Sequence, residues 1–165
     1  MGKAHSLKTV QFIPASLEEA WEFFSNPANL SLITPEALSF KVISKHHGSF
    51  MYAGQIIEYT VRPVLRIPLY WMTEITHVKE KEFFVDEQRF GPYALWHHQH
   101  HFKPVEGGVE MTDIVHYKVG YSLLGTIANH LFVRNQLQAI FQHRFKAVAE
   151  RFGGSAHKDA GIVFC

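Results

Sequence analysis

The residues of this chain that could do chemistry are concentrated between Gly91 and Phe102, in the run GPYALWHHQHHF. Because side chains alternate between the two faces of a strand, this run divides its histidines into two pairs. The face that carries large aromatic residues is predicted to lie inwards, and it holds Trp96, His98, His100 and Phe102. The other face is wholly polar and is predicted to meet water, with His97, Gln99, His101 and Lys103.

The strand that follows, Val109 to Val119, supports this assignment. A tight turn at Glu106-Gly107 sets a register in which inward residues of one strand meet inward residues of the other. The predicted pairs are Phe102 with Met111, His100 with Asp113, His98 with Val115, and Trp96 with Tyr117. A lone carboxylate is costly to bury, so we predict that Asp113 pairs with the imidazole of His100.

Three interpretations of His98, His100 and Asp113 stay open. They could form a structural polar network in which Asp113 holds an imidazole in one tautomer. They could be polar contacts in a ligand pocket. They could also form a metal site of two histidines and one carboxylate, or a general base in which His100 and Asp113 are catalytic. The H-x-H spacing alone assigns no metal ion, and the sequence predicts no cofactor.

Neighbouring strands add further polar and aromatic candidates. Trp71 and Thr73 share one face of a predicted strand. For Asp86 and Gln88 two orientations stay open, either towards the interior or towards solvent with Val85 inside instead. The predicted ligand contacts are Tyr59, Trp71, Thr73, Asp86, Gln88, Trp96, His98, His100, Asp113 and Tyr117.

The surrounding segments predict the elements that position these residues. Leu7 to Ile13 is a short apolar strand, Ser16 and Glu19 form a capping box at the start of a helix, and a second short helix or turn follows. Short breaks then separate a strand meander, with strands at Phe40–Lys45, Gly54–Arg62, Ile67–Val78, Glu82–Phe90, Tyr93–Val105 and Val109–Val119. Leu124 to Phe152 predicts a final helix of about 40 Å.

This order of elements predicts a single α+β domain of two layers, covering residues 1–152. A curved antiparallel sheet wrapped around the long helix would cover one face of that helix and leave a cavity between the two layers. Gly153-Gly154 is expected to end the helix, and residues 153–165 are predicted to be a flexible tail.

The composition excludes several classes of protein. With 16 Lys and Arg against 15 Asp and Glu, the net charge is +1, which is too small to favour nucleic acid. A lone cysteine, Cys165, excludes a disulfide framework. No apolar run reaches the ~20 residues of a membrane span. We therefore expect a cytoplasmic protein with no nucleic-acid partner and no membrane span.

The order of elements, together with one set of motifs, resembles the START-like (helix-grip) superfamily, in its bacterial SRPBCC, polyketide cyclase-like branch. The resemblance covers about residues 7–152. It rests on Gly91-Pro92-Tyr93, Trp96, His98, His100, Phe102, Gly107-Gly108, Met111, Asp113, Val115, Tyr117, Leu131-Phe132-Val133, Ile140-Phe141 and Arg144. It implies a helix-grip fold with about seven antiparallel strands around the C-terminal helix.

Members of this superfamily hold lipids, hydrophobic hormones or polyketide-like molecules between sheet and helix, and some are cyclases or hydrolases. The resemblance therefore favours a carrier or sensor that binds a small hydrophobic or lipid-like molecule. An enzyme acting on a polyketide-like substrate through His100 and Asp113 is the alternative. A structural domain that forms a homodimer and fills its own cavity is the third. We favour binding over catalysis, because a fold alone does not supply a reaction.

Overall fold

The strands of the chain form one open, curved antiparallel sheet. The computed structural model describes residues 3–44, 50–62, 67–120, 132–154 and 161–165. Within these ranges the strands are β1 (His5–Ile13), β2 (Lys41–Val42), β3 (Gln55–Val61), β4 (Leu69–Lys79), β5 (Phe83–Phe90), β6 (Tyr93–Val105), β7 (Gly108–Val119) and β8 (Gly161–Phe164). Their order across the sheet is β2-β3-β4-β5-β6-β7-β1-β8. The meander from β2 to β7 thus occupies most of the sheet, and β1 lies beyond it.

The helix after β1 begins as the sequence predicts. Helix α1 (Leu17–Phe24) has Ser16 as its N-cap, and both bonds of the capping box with Glu19 are present. Two 3₁₀ segments, Pro27–Ile33 and Glu36–Leu38, then lead to the sheet. The buried face of α1 packs against the sheet through Trp21, whose ring meets that of Phe102 edge to face at 5.4 Å.

Helix α2 (Arg134–Phe152) lies against the sheet and is the second layer of the fold. Its buried residues recur at helical spacing: Leu137, Phe141, Arg144, Phe145, Val148 and Ala149. Gln11 of β1 fixes it to the sheet, because the side-chain amide donates to the carbonyl oxygen of Phe145 at 2.9 Å. Gly153 ends the helix in the left-handed conformation (φ 81°), which suits glycine because it has no Cβ.

The hairpin of β6 and β7 confirms the predicted register. Val105 lies opposite Gly108, and the four predicted pairs from Phe102–Met111 to Trp96–Tyr117 are all present. Gly107 takes a left-handed conformation in the turn (φ 79°). A Cβ on Gly108 would lie 2.2 Å from the carbonyl oxygen of Ile13, so β1 can approach the hairpin only because this residue is glycine.

The predicted α+β architecture is confirmed, with two differences. Residues 161–164, assigned from the sequence to a flexible tail, instead form β8 beside β1. This strand is held by distant contacts, since Arg134 of α2 lies 4.6 Å over the ring of Phe164. The sheet therefore has eight strands among the described residues where about seven were expected.

The predicted last helix is seen over only part of its length. Phe132 and Val133 form a π-helical turn that leads into α2, and the predicted helical residues 124–131 lie outside the described ranges. The tail residues 155–160 also lie outside them. In the part of the chain that is described, no helix is both long enough and apolar enough to cross a membrane.

Candidate functional site

A cavity of about 520 Å³ lies between the inner face of the sheet and helix α2. Its size is within the range of pockets that hold small molecules. Strands β3 to β6 form one side, α2 and the residues just before it form another, and the 3₁₀ segments close a third with Leu30 and Leu38. The cavity therefore occupies the place that the sequence predicts for it.

The wall of the cavity is largely aromatic. Trp71 is its centre: Tyr59 stacks on it at 5.7 Å, and Trp96 meets it edge to face at 5.5 Å. Tyr93 packs against both Trp71 and Trp96, at 5.6 and 5.0 Å. Edge-to-face and stacked rings of this kind stabilise one another, so the wall is a continuous packed aromatic surface.

The hydroxyl group of Thr73 bonds two polar atoms of this wall. The indole N–H of Trp71 donates to Oγ1 of Thr73 at 3.0 Å, and the hydroxyl of Tyr59 shares a hydrogen bond of 2.9 Å with the same oxygen. Burial, together with the nearby charge of Asp86, raises the pKa of Tyr59 well above its usual value. Tyr59 therefore faces the cavity as a neutral phenol.

A histidine–aspartate cluster, made of Asp86, His98, His100 and Asp113, interrupts the apolar surface. The register of the sheet brings these residues together from three adjacent strands, because Asp86 of β5 lies opposite His98, and His100 lies opposite Asp113 of β7. His98, His100 and Asp113 are buried, and Asp86 is partly buried. Only the side chains of Asp86, His98 and His100 line the cavity, so Asp113 lies behind them.

Each imidazole of the cluster lies between the same two carboxylates. His98 places Nδ1 3.3 Å from Oδ2 of Asp86 and Nε2 3.1 Å from Oδ1 of Asp113. His100 places Nε2 2.9 Å from the same oxygen of Asp86 and Nδ1 2.8 Å from the same oxygen of Asp113. The two ring centroids are 3.8 Å apart. The four residues thus form a closed ring of contacts.

Three other side chains hold this ring in place. Thr9 of β1 donates its hydroxyl to Oδ2 of Asp113 at 3.2 Å. Arg144 reaches down from α2 and places Nη1 3.7 Å from Oδ1 of Asp113 and Nη2 3.4 Å from Nδ1 of His100. Phe84 stacks on His100, with ring centroids 4.2 Å apart. Arg144 therefore joins the cluster to the helix.

Burial opposes charge in the cluster, but the neighbouring groups decide which residues are ionised. Burial acts to raise the pKa of Asp86, yet the charge of His98 and hydrogen bonds from both imidazoles lower it. Asp113 is likewise buried, but Arg144 and the two imidazoles hold its pKa well below the usual value. Both carboxylates are therefore ionised.

The two imidazoles differ from each other. Burial acts to lower the pKa of His98, but Asp86 and Asp113 outweigh it and raise that pKa. Burial and the charge of His98 together lower the pKa of His100 despite the same two carboxylates. Positive charge is therefore favoured on His98 over His100.

The structure brings seven of the ten predicted contacts to the cavity: Tyr59, Trp71, Thr73, Asp86, Trp96, His98 and His100. Asp113 supports the two histidines from behind. Tyr117 is 1% exposed and packs in a separate part of the core with Leu7 and Val115. The orientation of Asp86 that the sequence leaves open is thereby resolved, since its carboxylate meets the inward histidines.

Gln88 does not line the cavity and has a local role. Its side-chain amide donates to the carbonyl oxygen of Tyr93 at 2.7 Å and accepts from the N–H of Tyr93 at 3.2 Å. The two bonds bridge the turn at Gly91-Pro92. A Cβ on Gly91 would lie 2.5 Å from Oε1 of Gln88, so this bridge requires glycine at that position.

Two polar residues that hold the cluster in place are absent from the predicted contacts. Arg144 contacts the cluster from α2, although in the sequence it stands out only as part of a motif. Its signal is a positive charge within the apolar stripe of α2, next to Phe141 and Phe145. No local pattern in the sequence marks Thr9, because its role depends on the pairing of Thr9 with Asp113 between β1 and β7.

Comparison with solved structures gives the fold. TTHA0849 from Thermus thermophilus has a TM-score of 0.67 at 15% identity, over 89% of this chain and 96% of that one. CV1439 from Chromobacterium violaceum has a TM-score of 0.69 at 13% identity, over 91% and 98%. A START superfamily protein from Mycobacterium smegmatis has a TM-score of 0.68 at 12% identity, over 90% and 97%.

Comparison with curated protein sequences gives no match. Residues 13–146, by contrast, match the family described as polyketide cyclase / dehydrase and lipid transport. These residues extend from the end of β1 into α2 and include the cavity and the histidine–aspartate cluster. The chain therefore shares the fold of that START superfamily protein and belongs to the polyketide cyclase/dehydrase and lipid transport family.

Proposed function

We propose that this protein binds a small, largely apolar molecule between the sheet and α2, as a carrier or sensor. The observation that carries the proposal is an apolar cavity with one concentrated polar group of residues in its wall, the histidine–aspartate cluster. Ligand pockets have this character: apolar surface supplies most of the affinity, and a few polar atoms orient the molecule.

The proposed ligand has one polar end, which meets the cluster. Asp86, His98 and His100 all line the cavity. Their ring nitrogens lie beside the carboxylates of Asp86 and Asp113, so the polar end of the ligand either shares the oxygens of Asp86 or takes the place of Asp86 beside an imidazole. A hydroxyl or carbonyl group matches this combination of donors and acceptors. The remainder of the ligand is apolar, because the rest of the wall consists mainly of aromatic and aliphatic side chains such as Trp71, Ile57 and Ile140.

A homologous series of straight-chain primary alcohols tests the proposal in chelator-treated buffer. Two tryptophans, Trp71 and Trp96, line the cavity, so occupancy changes the intrinsic fluorescence. Each added methylene is expected to tighten binding about fourfold, which corresponds to ~0.8 kcal/mol per buried methylene. Affinity stops rising with length once the alkyl chain of the alcohol fills the cavity. Absence of saturable binding at every chain length contradicts the proposal.

A pair of matched double variants tests the polar end. His98→Ala with His100→Ala removes the inward imidazoles, whereas His97→Ala with His101→Ala removes their neighbours on the opposite face of β6. The inward double variant is expected to bind each alcohol about fivefold more weakly, because a hydrogen bond contributes roughly 1 kcal/mol. Equal affinities in the two double variants would show that the cluster does not orient the ligand.

A further inference from the structure

Three atoms of the histidine–aspartate cluster converge on one point at the cavity wall. Oδ2 of Asp86 lies 3.3 Å from Nδ1 of His98 and 2.9 Å from Nε2 of His100. All three ligand atoms lie within 4.8 Å of one another. Two ligands of a tetrahedral ion with bonds of ~2.0–2.1 Å are about 3.3 Å apart. The two separations from Asp86 are close to this value, and the two nitrogens lie no more than 4.8 Å apart, so the three atoms are spaced for one ion.

The other nitrogen of each imidazole has the partner that a metal-bound histidine needs. Nε2 of His98 and Nδ1 of His100 lie 3.1 and 2.8 Å from the same oxygen of Asp113. A carboxylate in this position orients a ligating imidazole and keeps its proton on the nitrogen away from the metal. Asp113 is itself held by Thr9 and Arg144. The support for a metal site is therefore already in place behind the two rings.

We propose that Asp86, His98 and His100 bind one divalent transition-metal ion of the Zn²⁺ or Fe²⁺ class. Two imidazoles and one carboxylate are the ligand set of metal sites that keep a position open. Here the open position faces the cavity, because all three residues line it. On binding, the ion replaces the hydrogen bonds between Asp86 and the imidazoles, and the protons on the two ligating nitrogens are released to solvent or move to the nitrogens that face Asp113. Each imidazole then holds its proton on the nitrogen that faces Asp113.

The competing interpretation is a purely structural network, in which N–H···O bonds hold the same four residues and no ion enters. Binding of the metal alone distinguishes the two. Chelator-treated full-length protein is titrated with Co²⁺, followed by visible absorption, and then with Zn²⁺ by calorimetry. The proposal expects one ion per chain, absorption bands of four-coordinate Co²⁺, and their loss on addition of Zn²⁺. This test does not depend on an apolar ligand.

Variants of the full chain locate the ion. Asp86→Asn keeps the shape of the side chain and removes the charged ligand. It is expected to weaken Zn²⁺ binding about 100-fold or more, because loss of a residue that only supports a ligand already weakens metal binding by about 10- to 100-fold. His98→Ala with His100→Ala is expected to abolish the Co²⁺ bands.

The His97→Ala, His101→Ala double variant controls for binding to other histidines of β6. It is expected to retain both the stoichiometry and the affinity of the unaltered protein. Circular dichroism of each metal-free variant establishes that it is folded. If the inward double variant is not folded, Asp86→Asn alone locates the ion. Failure of the unaltered protein to bind either ion, or equal affinity in Asp86→Asn, overturns the proposal.

Discussion

Among single residues, Asp113 makes the contacts on which the geometry of the cluster depends. It is 4% exposed, accepts from Thr9, lies beside both imidazoles and faces the guanidinium of Arg144. Charge in a protein interior is tolerated only when it is paired and hydrogen-bonded. Asp113 therefore supplies the negative charge that allows Arg144 to be buried at the end of the cavity.

Replacing Asp113 by asparagine is expected to destabilise the protein strongly. The substitution keeps the volume of the side chain but leaves Arg144 without its buried counter-charge. Breaking a buried ion pair from one side costs about 3–5 kcal/mol, which urea denaturation measures directly. Glu110→Gln makes the same chemical change on the opposite face of β7 and is expected to cost less than ~0.5 kcal/mol. Similar losses in the two variants would mean that Asp113 has no special structural role.

The sequence predicts the pairing of His100 with Asp113 and names Asp86 as a candidate contact, but it leaves the orientation of Asp86 open and does not place Arg144. The pairing follows from alternation and a two-residue turn, both of which are local. The orientation of Asp86 requires the register of β5, and the position of Arg144 requires the packing of α2 on the sheet. Neither is encoded in the spacing of nearby residues, so the structure is needed to show that the Asp86 carboxylate faces the cavity.

Among the elements, the turn between β5 and β6 holds Asp86 and the histidines in register. Gln88 bridges this turn through both backbone groups of Tyr93, and Gly91 leaves room for the bridge. The turn therefore contributes to the site from outside the cavity.

A double-mutant cycle on Gln88 and Gly91 tests this role. Gly91→Ala is expected to destabilise the protein because the new Cβ displaces the side chain of Gln88. In a Gln88→Ala background, which lacks that side chain, the same substitution is expected to lower the free energy of unfolding by a smaller amount. Residues in direct contact commonly show interaction energies of about 0.5–3 kcal/mol in such cycles, and thermal or urea unfolding measures each variant. Strictly additive effects would contradict the bridging role.

The elements that the sequence predicts correctly are those that depend on contacts between residues close together in the chain. The capping box of α1 and the hairpin of β6 and β7 depend on neighbouring residues and are confirmed. The pairing of β4 with β5 contains register shifts between Met72 and Thr73 and between Ile75 and His77. Alternation alone cannot locate such irregularities, which is why the orientation of Asp86 stays open until the structure is known. Strand β8 is missed because it pairs with β1, at the other end of the chain.

For the whole molecule, the order of elements is sufficient to predict a sheet wrapped around a helix, but the cavity depends on how tightly the two layers pack. Along β4 the cavity reaches from Leu69 to Ile75, which is about 20 Å of strand. Asp86 lies opposite Ile75, whereas Leu38, Val61 and Leu69 lie towards the other end. A ligand is therefore expected to lie along β4 with its polar end at the cluster.

The position of both ends of a bound ligand tests the central claim most directly. A crystal grown with a primary alcohol that carries bromine at the far end of its chain reveals the bromine by anomalous scattering. Our account predicts the hydroxyl group within hydrogen-bond distance of Asp86 or His98, and the bromine among Leu38, Val61 and Leu69. Bromine outside the cavity, or beside His98 and His100, would contradict the proposed binding mode.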